Sequence, residues 1–370
     1  MIYLDNAATT FPKPDAVISA VTDFLTKCGA SPGRGSYDSA LHSSEILFRC
    51  QENIATLFSI PSPERIVFTK NATEAINAAI FGTVLPGDEI IISSMEHNSV
   101  MRSSHEATVR GAKLKIAHAS PTGKVDPSSI ERLISNKTKL ICLIHSSNVS
   151  GTINDIHSVL SIAKKHNILT LFDLSQSAGI IPIDASLFDM AAFSGHKGLM
   201  GTMGTGCLYV REGISIKPLL YGGTGSYSES ARMPDFFPDL FHAGTLNAPG
   251  IAALNEGVKF ILREGVYEKE AEITRYLYDS LMNIPSVTVP GERERTSAVS
   301  ITAKGFDPIF IAHELNREGI CVRAGLHCAP LAHRTLGTIE KGTLRFSPGF
   351  FTEKADIDIA LMSFKKIIEK

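Results

Sequence analysis

The sequence predicts an α/β protein: a large domain with a mostly parallel sheet flanked by helices, and a smaller α+β domain. Three observations carry that prediction. The chain has 370 residues with 44% hydrophobic content, enough to bury a substantial core and long enough for two domains. From Arg65 to Val210, short apolar runs alternate with helical patterns, as expected of strands linked by helical crossovers. After Val210 that rhythm loosens, and a different mixture of strands and helices resumes only beyond a Gly-, Ser- and Pro-rich stretch at 221–247. The large domain is therefore expected over 16–247, and the smaller one over 1–15 together with 248–370. A net charge of -2 gives no electrostatic case for nucleic acid or an anionic membrane. No apolar run approaches the length of a membrane span, and the start MIYLDNAATT lacks a basic region followed by an apolar one, so a cytoplasmic protein is expected.

Residues 3–10 read as a short strand breaking into a polar turn that Pro12 and Pro14 close. Asp15 can then cap a helix carrying Val17, Ile18, Val21, Phe24 and Leu25 on one face and ending near Gly29. ASPGRGSY at 30–37 is a Gly-rich loop holding Arg34, a weak candidate for a phosphate cradle because no strand precedes it. A strand at 66–68 leads to Asn71-Ala-Thr-Glu74, which opens a helix through Phe81 with Ala72 and Thr73 in its first turn. Helix amino ends offer free N–H groups and the positive end of the macrodipole, so this turn suits a phosphate, or is a capping motif alone. A turn at Pro86-Gly-Asp88 precedes a strand at 89–92, and Met95-Glu-His97-Asn begins another helix. Strands follow at 114–117 and 140–145, with a helix near 127–134 between them. Asn148 lies just past the second, where α/β sheets open their ligand crevice. A helix at 156–166 returns the chain.

The stretch from Ile168 to Val210 holds two charges in unusual settings. Asp173 ends one apolar run, and Lys197 follows a second inside Ser-Gly-His-Lys-Gly. Each alone reads as a helix cap or a solvated side chain. Together they have a chemical rationale: a lysine that loses solvent has its pKa lowered towards the free amine, which can form a Schiff base with a carbonyl. A carboxylate nearby suits a cationic ring nitrogen, the pairing that pyridoxal phosphate (PLP) enzymes use.

Beyond 221–247, a long loop of little periodicity that ends in Ala243-Gly-Thr245-Leu-Asn, helices are expected at 249–263 and 268–282. The smaller domain then has strands at 298–302, 320–323 and 342–346 and helices at 308–317 and 354–368. Of six cysteines, most lie in apolar runs and form no disulfide framework. Cys328 alone stands beside a histidine in a glycine turn, Arg323-Ala-Gly-Leu-His327-Cys328-Ala-Pro, and reads as reactive. The alternatives are a structural cysteine and a metal site from Cys321, His327, Cys328 and His333, whose spacing matches no standard zinc pattern.

Asp173-x-x-Gln176, then Ser194-x-His196-Lys197 and a glycine-rich return, resembles the fold-type I PLP enzymes of aminotransferase class V, and Leu4-Asp-Asn-Ala-Ala resembles their opening. Arg-x-Gly-x-His-Cys-Ala at 323–329 resembles the active-cysteine motif of group II cysteine desulfurases and selenocysteine lyases. The resemblance runs from Leu4 to about Ser347. It implies a seven-stranded-type sheet, a homodimer, and Lys197 as the cofactor's anchor and proton shuttle. It also implies that Asp173 faces the ring nitrogen, Gln176 the ring oxygen and His97 the ring face. Ala72, Thr73, Ser194 and His196, with Thr245 of the partner subunit, are implied to hold the phosphate. Asn148, Arg345 and Arg323 are implied at the substrate, with Arg345 gripping its carboxylate. Cys328 would take sulfur from L-cysteine as a persulfide, leaving alanine and supplying an acceptor protein or small thiol. A selenocysteine lyase, an aminotransferase and a kynureninase-like hydrolase are the other readings. Two departures concern sulfur-versus-selenium preference and partner docking: Leu326 stands where many members have a second histidine, and Ser347-Pro-Gly-Phe-Phe replaces the usual polar sequel.

Overall fold

In the computed structural model, residues 1–33 and 35–369 are described, so the reading of Arg34 lies outside the described residues. After β1 (Ile2–Tyr3) comes α1 (Asp15–Asp23), with Pro14 at the cap position in place of the expected Asp15. Asp15 instead sits in the first turn, where its charge meets the positive end of the helix. A π turn at Phe24–Cys28 extends the helix, and Gly29, with φ of 62°, ends it as expected. Next, α2 (Asp38–Leu57) is a helix absent from the sequence reading. Its inward face includes Ser43, Cys50 and Gln51 beside Leu47 and Ile54, so its apolar stripe is broken.

The sheet begins with β2 (Ile66–Thr69), followed by α3 (Ala72–Thr83). Asn71 caps α3 by accepting from Glu74 N at 2.9 Å, while the Glu74 carboxylate accepts from Lys70 N at 2.6 Å. Then come β3 (Glu89–Ser93), α4 (Asn98–Val109), β4 (Lys113–Ala117), α5 (Pro127–Glu131), β5 (Thr138–Ile144) and α6 (Ile156–Lys165). β6 (Leu169–Asp173), β7 (Met190–Ser194) and β8 (Gly206–Val210) finish the run. The seven strands lie in the order β2-β8-β7-β6-β5-β3-β4, and only β8 runs antiparallel to its neighbours. Successive residues of β7 feed opposite cores: Ala191 and Phe193 pack with α2 and α6, while Met190 and Ala192 pack with α3. Both faces are therefore covered, which is why these strands read as unbroken apolar runs.

Residues 221–247 contain no helix or strand. α7 (Ala248–Arg263) lies against α1 and α2, and its Ile251, Leu254 and Val258 belong to the core beneath the seven-stranded sheet. α8 (Val266–Met282) turns its Ile273, Leu277 and Leu281 into a second core. That core is built with β9 (Val287–Thr288), β10 (Val299–Ala303), α9 (Pro308–Arg317), β11 (Ile320–Cys321) and β12 (Arg323–Gly325). α10 (Pro330–Thr335), β13 (Thr343–Phe346) and α11 (Lys354–Ile368) complete the chain. The single strand expected at 320–323 is two: β11 pairs with β1, while β12 joins β13, β10 and β9 in an antiparallel sheet. The N-terminal strand thus stitches onto the C-terminal part, and Asp5 bridges to Ser347 just beyond β13.

Candidate active site

Four neighbouring strands, β7, β6, β5 and β3, run parallel and end at one edge of the sheet. Ser194 ends β7, Asp173 ends β6, Asn148 follows β5 and His97 follows β3. With Ala72, Thr73, Gln176 and Lys197 they line one pocket. The amino end of α3 reaches this pocket because β8 starts with glycine: a Cβ on Gly206 would lie 2.6 Å from the Asn71 backbone. The turn carrying Lys197 is held from outside by the N-terminal segment. Thr10 donates to the carbonyls of His196 (N–H, 3.1 Å) and Lys197 (hydroxyl, 2.6 Å), and Lys13 Nζ donates to the His196 carbonyl at 2.9 Å.

Electrostatics separate the roles of these groups. Loss of solvent pushes the Lys197 amine down to about 8; Arg345 and Arg323 add to the shift, while Asp173 and Cys328 oppose it. A free amine is therefore accessible under mildly alkaline conditions. Asp173 is 2% exposed and accepts one backbone N–H, from Ser175 at 2.9 Å; among the described residues no cation stands within 4 Å of it. A buried carboxylate without a counter-ion fits an incoming cation. Burial lowers His97 to about 4, so it is neutral. Its Nδ1 accepts from Ser99 N at 3.0 Å, which leaves the proton on Nε2. Two further atoms are buried without partners, Asn148 Oδ1 and His196 Nδ1. Asn148 lines the pocket and, with the unpaired carboxylate, fits a polar, cationic-ring cofactor such as PLP, whereas His196 is not among the pocket's lining residues.

The smaller unit closes over this edge. Asn148 is the junction: its Nδ2 donates to the His327 carbonyl (2.7 Å), and its carbonyl accepts from Arg345 Nη1 (2.9 Å). Asn98 N donates to the Cys328 carbonyl at 2.7 Å, tying the start of α4 to the cysteine turn. His327 and Cys328 both adopt positive φ, 48° and 57°, which costs backbone strain in non-glycine residues. The strain presents Cys328 to solvent while His327 is buried, lowered to about 2, and bonded through Nε2 to Thr343 Oγ1 at 3.0 Å. By contrast Cys50, Cys142 and Cys207 are fully buried, and burial raises their thiols.

Not every expected residue comes to the pocket. Arg345 is 2% exposed and committed to Asp5 Oδ1 (2.8 Å) and Asn148, with only Nε unpartnered. Arg323 sits beside it in the antiparallel register but is exposed. Gln176 spends one donor on the Ala7 carbonyl (3.0 Å). Thr245 lines a different cavity, with Phe68 and His242, and does not reach Lys197 within this chain. Two residues that sequence reasoning passed over matter here. Asp5 lies within the quoted opening motif, yet its pairing with Arg345 spans 340 positions. Glu96 is completely buried, accepts from Ser93 Oγ (2.5 Å) and Ile144 N (3.0 Å), and is pushed up to about 8 by burial, so it stands as a neutral acid between β3 and β5. Its place next to His97 was the only available signal.

Comparison with known proteins follows the same lines. The profile of aminotransferase class-V matches residues 2–360. A probable cysteine desulfurase of Methanothermobacter thermautotrophicus is 33% identical over 97% of this chain and 92% of its own length. One from Halalkalibacterium halodurans is 32% identical over 100% of this chain and 93% of its own. Among solved structures, the apo cysteine desulfurase from Thermococcus onnurineus NA1 superposes with a TM-score of 0.91 at 29% identity, covering 100% of this chain and 94% of that one. The S-sulfonic acid form of a cysteine desulfurase from Escherichia coli does so with 0.89 at 26% identity, with the same coverage.

Proposed function

The chain belongs to the aminotransferase class-V family, and from that premise we propose that it is a PLP-dependent cysteine desulfurase that takes sulfur from L-cysteine and leaves L-alanine. The observation that carries the reading is an exposed cysteine of one unit tied to the pocket of the desolvated lysine in the other: Asn98 N, next to His97, donates to the Cys328 carbonyl at 2.7 Å, and Asn148 Nδ2 donates to the His327 carbonyl at 2.7 Å. An aminotransferase needs the lysine but has no use for that cysteine.

When bound, PLP supplies an electron sink for the pair released at the substrate Cα. Lys197 Nζ would anchor it and then move the Cα proton. Asp173 keeps a cationic ring nitrogen charged. Neutral His97 would face the ring, Gln176 would serve its oxygen, and Ala72, Thr73, Ser194 and His196 would hold the phosphate at the amino end of α3. Thr245 of the partner subunit would complete that cradle in a homodimer. We place Asn148, Arg345 and Arg323 at the substrate carboxylate; the unpartnered Arg345 Nε is the donor left open for it.

Cys328 then attacks the substrate sulfur as a thiolate. An S–S bond forms and the Cβ–S bond breaks; the electron pair stays with carbon, which is protonated to the alanine methyl. Cys328 carries the sulfur as a persulfide that a protein or small-thiol acceptor removes. The exposed position of Cys328 suits that hand-over.

Cys328→Ala tests the proposal. It should bind PLP with an unaltered absorption spectrum while sulfide release from cysteine in the presence of a reductant nearly vanishes. Mass spectrometry of the wild type, given cysteine alone, should find the added sulfur on the peptide containing Cys328. Wild-type sulfide release by Cys328→Ala would overturn the persulfide step.

A further inference from the structure

We propose that the cleft between the two units, a pocket separate from the one Lys197 lines, binds a small carboxylate with a short apolar tail on the side chain of Arg295. Arg295 is 8% exposed, and its guanidinium stacks over the Tyr278 ring, 4.2 Å from the centroid. Nη1 donates to the Pro290 carbonyl at 3.2 Å, and the Tyr278 side chain and the Glu292 carboxylate favour the charged guanidinium, but Nε and Nη2 are buried without a hydrogen bond of normal geometry. Those two N–H groups form the edge that receives a carboxylate through two parallel bonds. A buried cation with that edge unsatisfied is costly, and an anion in the cleft removes the cost.

A second group on the same cleft is also unsatisfied: Thr274 Oγ1, on α8, is buried without a partner. Glu270, one turn earlier, does not repel an anion, since burial pushes its carboxyl up to about 8 and it is largely protonated at neutral pH. At the exposed mouth Arg293 is already bonded to Asp279 (2.7 and 3.0 Å), with Arg275 and Glu294 alongside. The facing wall is Ile153, Ile180 and Ile181 from the large unit, which suits a short aliphatic tail better than inorganic phosphate. Thr296 bonds Ser146 Oγ at 2.6 Å and the Gly151 carbonyl at 3.0 Å, on the turn that carries Asn148. An occupant would thus brace the two units and stabilise the folded protein by mass action. The site stands whether or not the desulfurase reading does.

The test is calorimetry and thermal melting of the PLP-bound protein with sodium butyrate, with inorganic phosphate as the comparison. Wild type should bind butyrate saturably, one per chain, and melt at a higher temperature with it. Arg295→Gln, which removes the charge-assisted bonds, should bind about tenfold more weakly or worse, and Thr274→Val should also bind more weakly. If Arg295→Gln fails to fold, Thr274→Val decides alone. Absence of saturable butyrate binding at millimolar concentrations, equal affinity in wild type and variant, or tighter binding of phosphate than of butyrate would overturn the assignment.

Discussion

Asp173 and Lys197 are both charged side chains at the carboxyl edge of the sheet, yet they meet burial differently. The amine yields to it by moving down to about 8. The carboxylate keeps one backbone donor and no counter-ion, which makes it dependent on whatever cation enters. Asp173→Asn preserves shape and the Ser175 contact, so it should fold and retain some PLP. It should lose at least about tenfold in alanine production, because a charge-assisted bond of about 1.5–3 kcal/mol is removed where the ring must stay cationic. Turnover near the wild-type value would make Asp173 a cap and nothing more. The Asp5–Arg345 pair sets the substrate end in the same way: removing one partner of a buried pair costs about 3–5 kcal/mol. Asp5→Ala should accordingly lower the melting temperature as well as raise the KM for cysteine.

Among the elements, α7 has the most demanding contact with the site. Gly257 meets the turn beyond Lys197 backbone to backbone: a Cβ there would lie 2.3 Å from the Leu199 carbonyl and 3.0 Å from Met200. Leu254, one turn earlier, packs against Gly195 and Gly201 on either side of the lysine. The helix therefore presses directly on the backbone that positions Lys197. Gly257→Ala should cost about 1–3 kcal/mol through overpacking, even though alanine is the better helix former. PLP loading measured by absorbance should fall with the melting temperature. If loading is normal, the turn accommodates a methyl group and α7 does not set the lysine's position.

Across the whole molecule, buried titratable groups fix how stability responds to pH. His97, His145, His196, His242, His327 and His333 are all lowered from 6.5 by burial, five of them to about 4 and His327 to about 2. The unfolded chain takes up these protons first, so stability is lost as pH falls below about 6.5. Glu96 and Glu270 are raised from 4.5 to about 8, so the folded state holds protons that the unfolded chain has released, and stability is lost as pH rises towards 8. The melting temperature should peak near pH 6.5. Glu96→Gln should flatten the decline between pH 6.5 and 8; an unchanged slope would mean that Glu96 is already ionised in the folded protein.

Read alone, the sequence determined the parallel sheet, because strands covered on both faces must be apolar throughout, and Met190–Ser194 shows that pattern plainly. It also marked the groups whose residue type is unusual for their surroundings: Asp173 at a strand end, Lys197 between glycines, Cys328 outside an apolar run. Local signals placed α9 and α11 at their observed bounds. What it left open depends on contacts far apart in the chain. α2 carries polar residues on its buried face because Gln51 donates to the Ile66 carbonyl at 2.7 Å, a partner no periodicity reveals. The stretch at 320–325 divides because Ile2 and Tyr3 claim its first half, and Arg345 is occupied by Asp5 and Asn148 because the termini meet there. Burial is the common reason. A side chain's type shows what it can do, but only packing decides how much water it keeps, and that decided the lowered pKa of Lys197, the neutral His97 and the protonated Glu96.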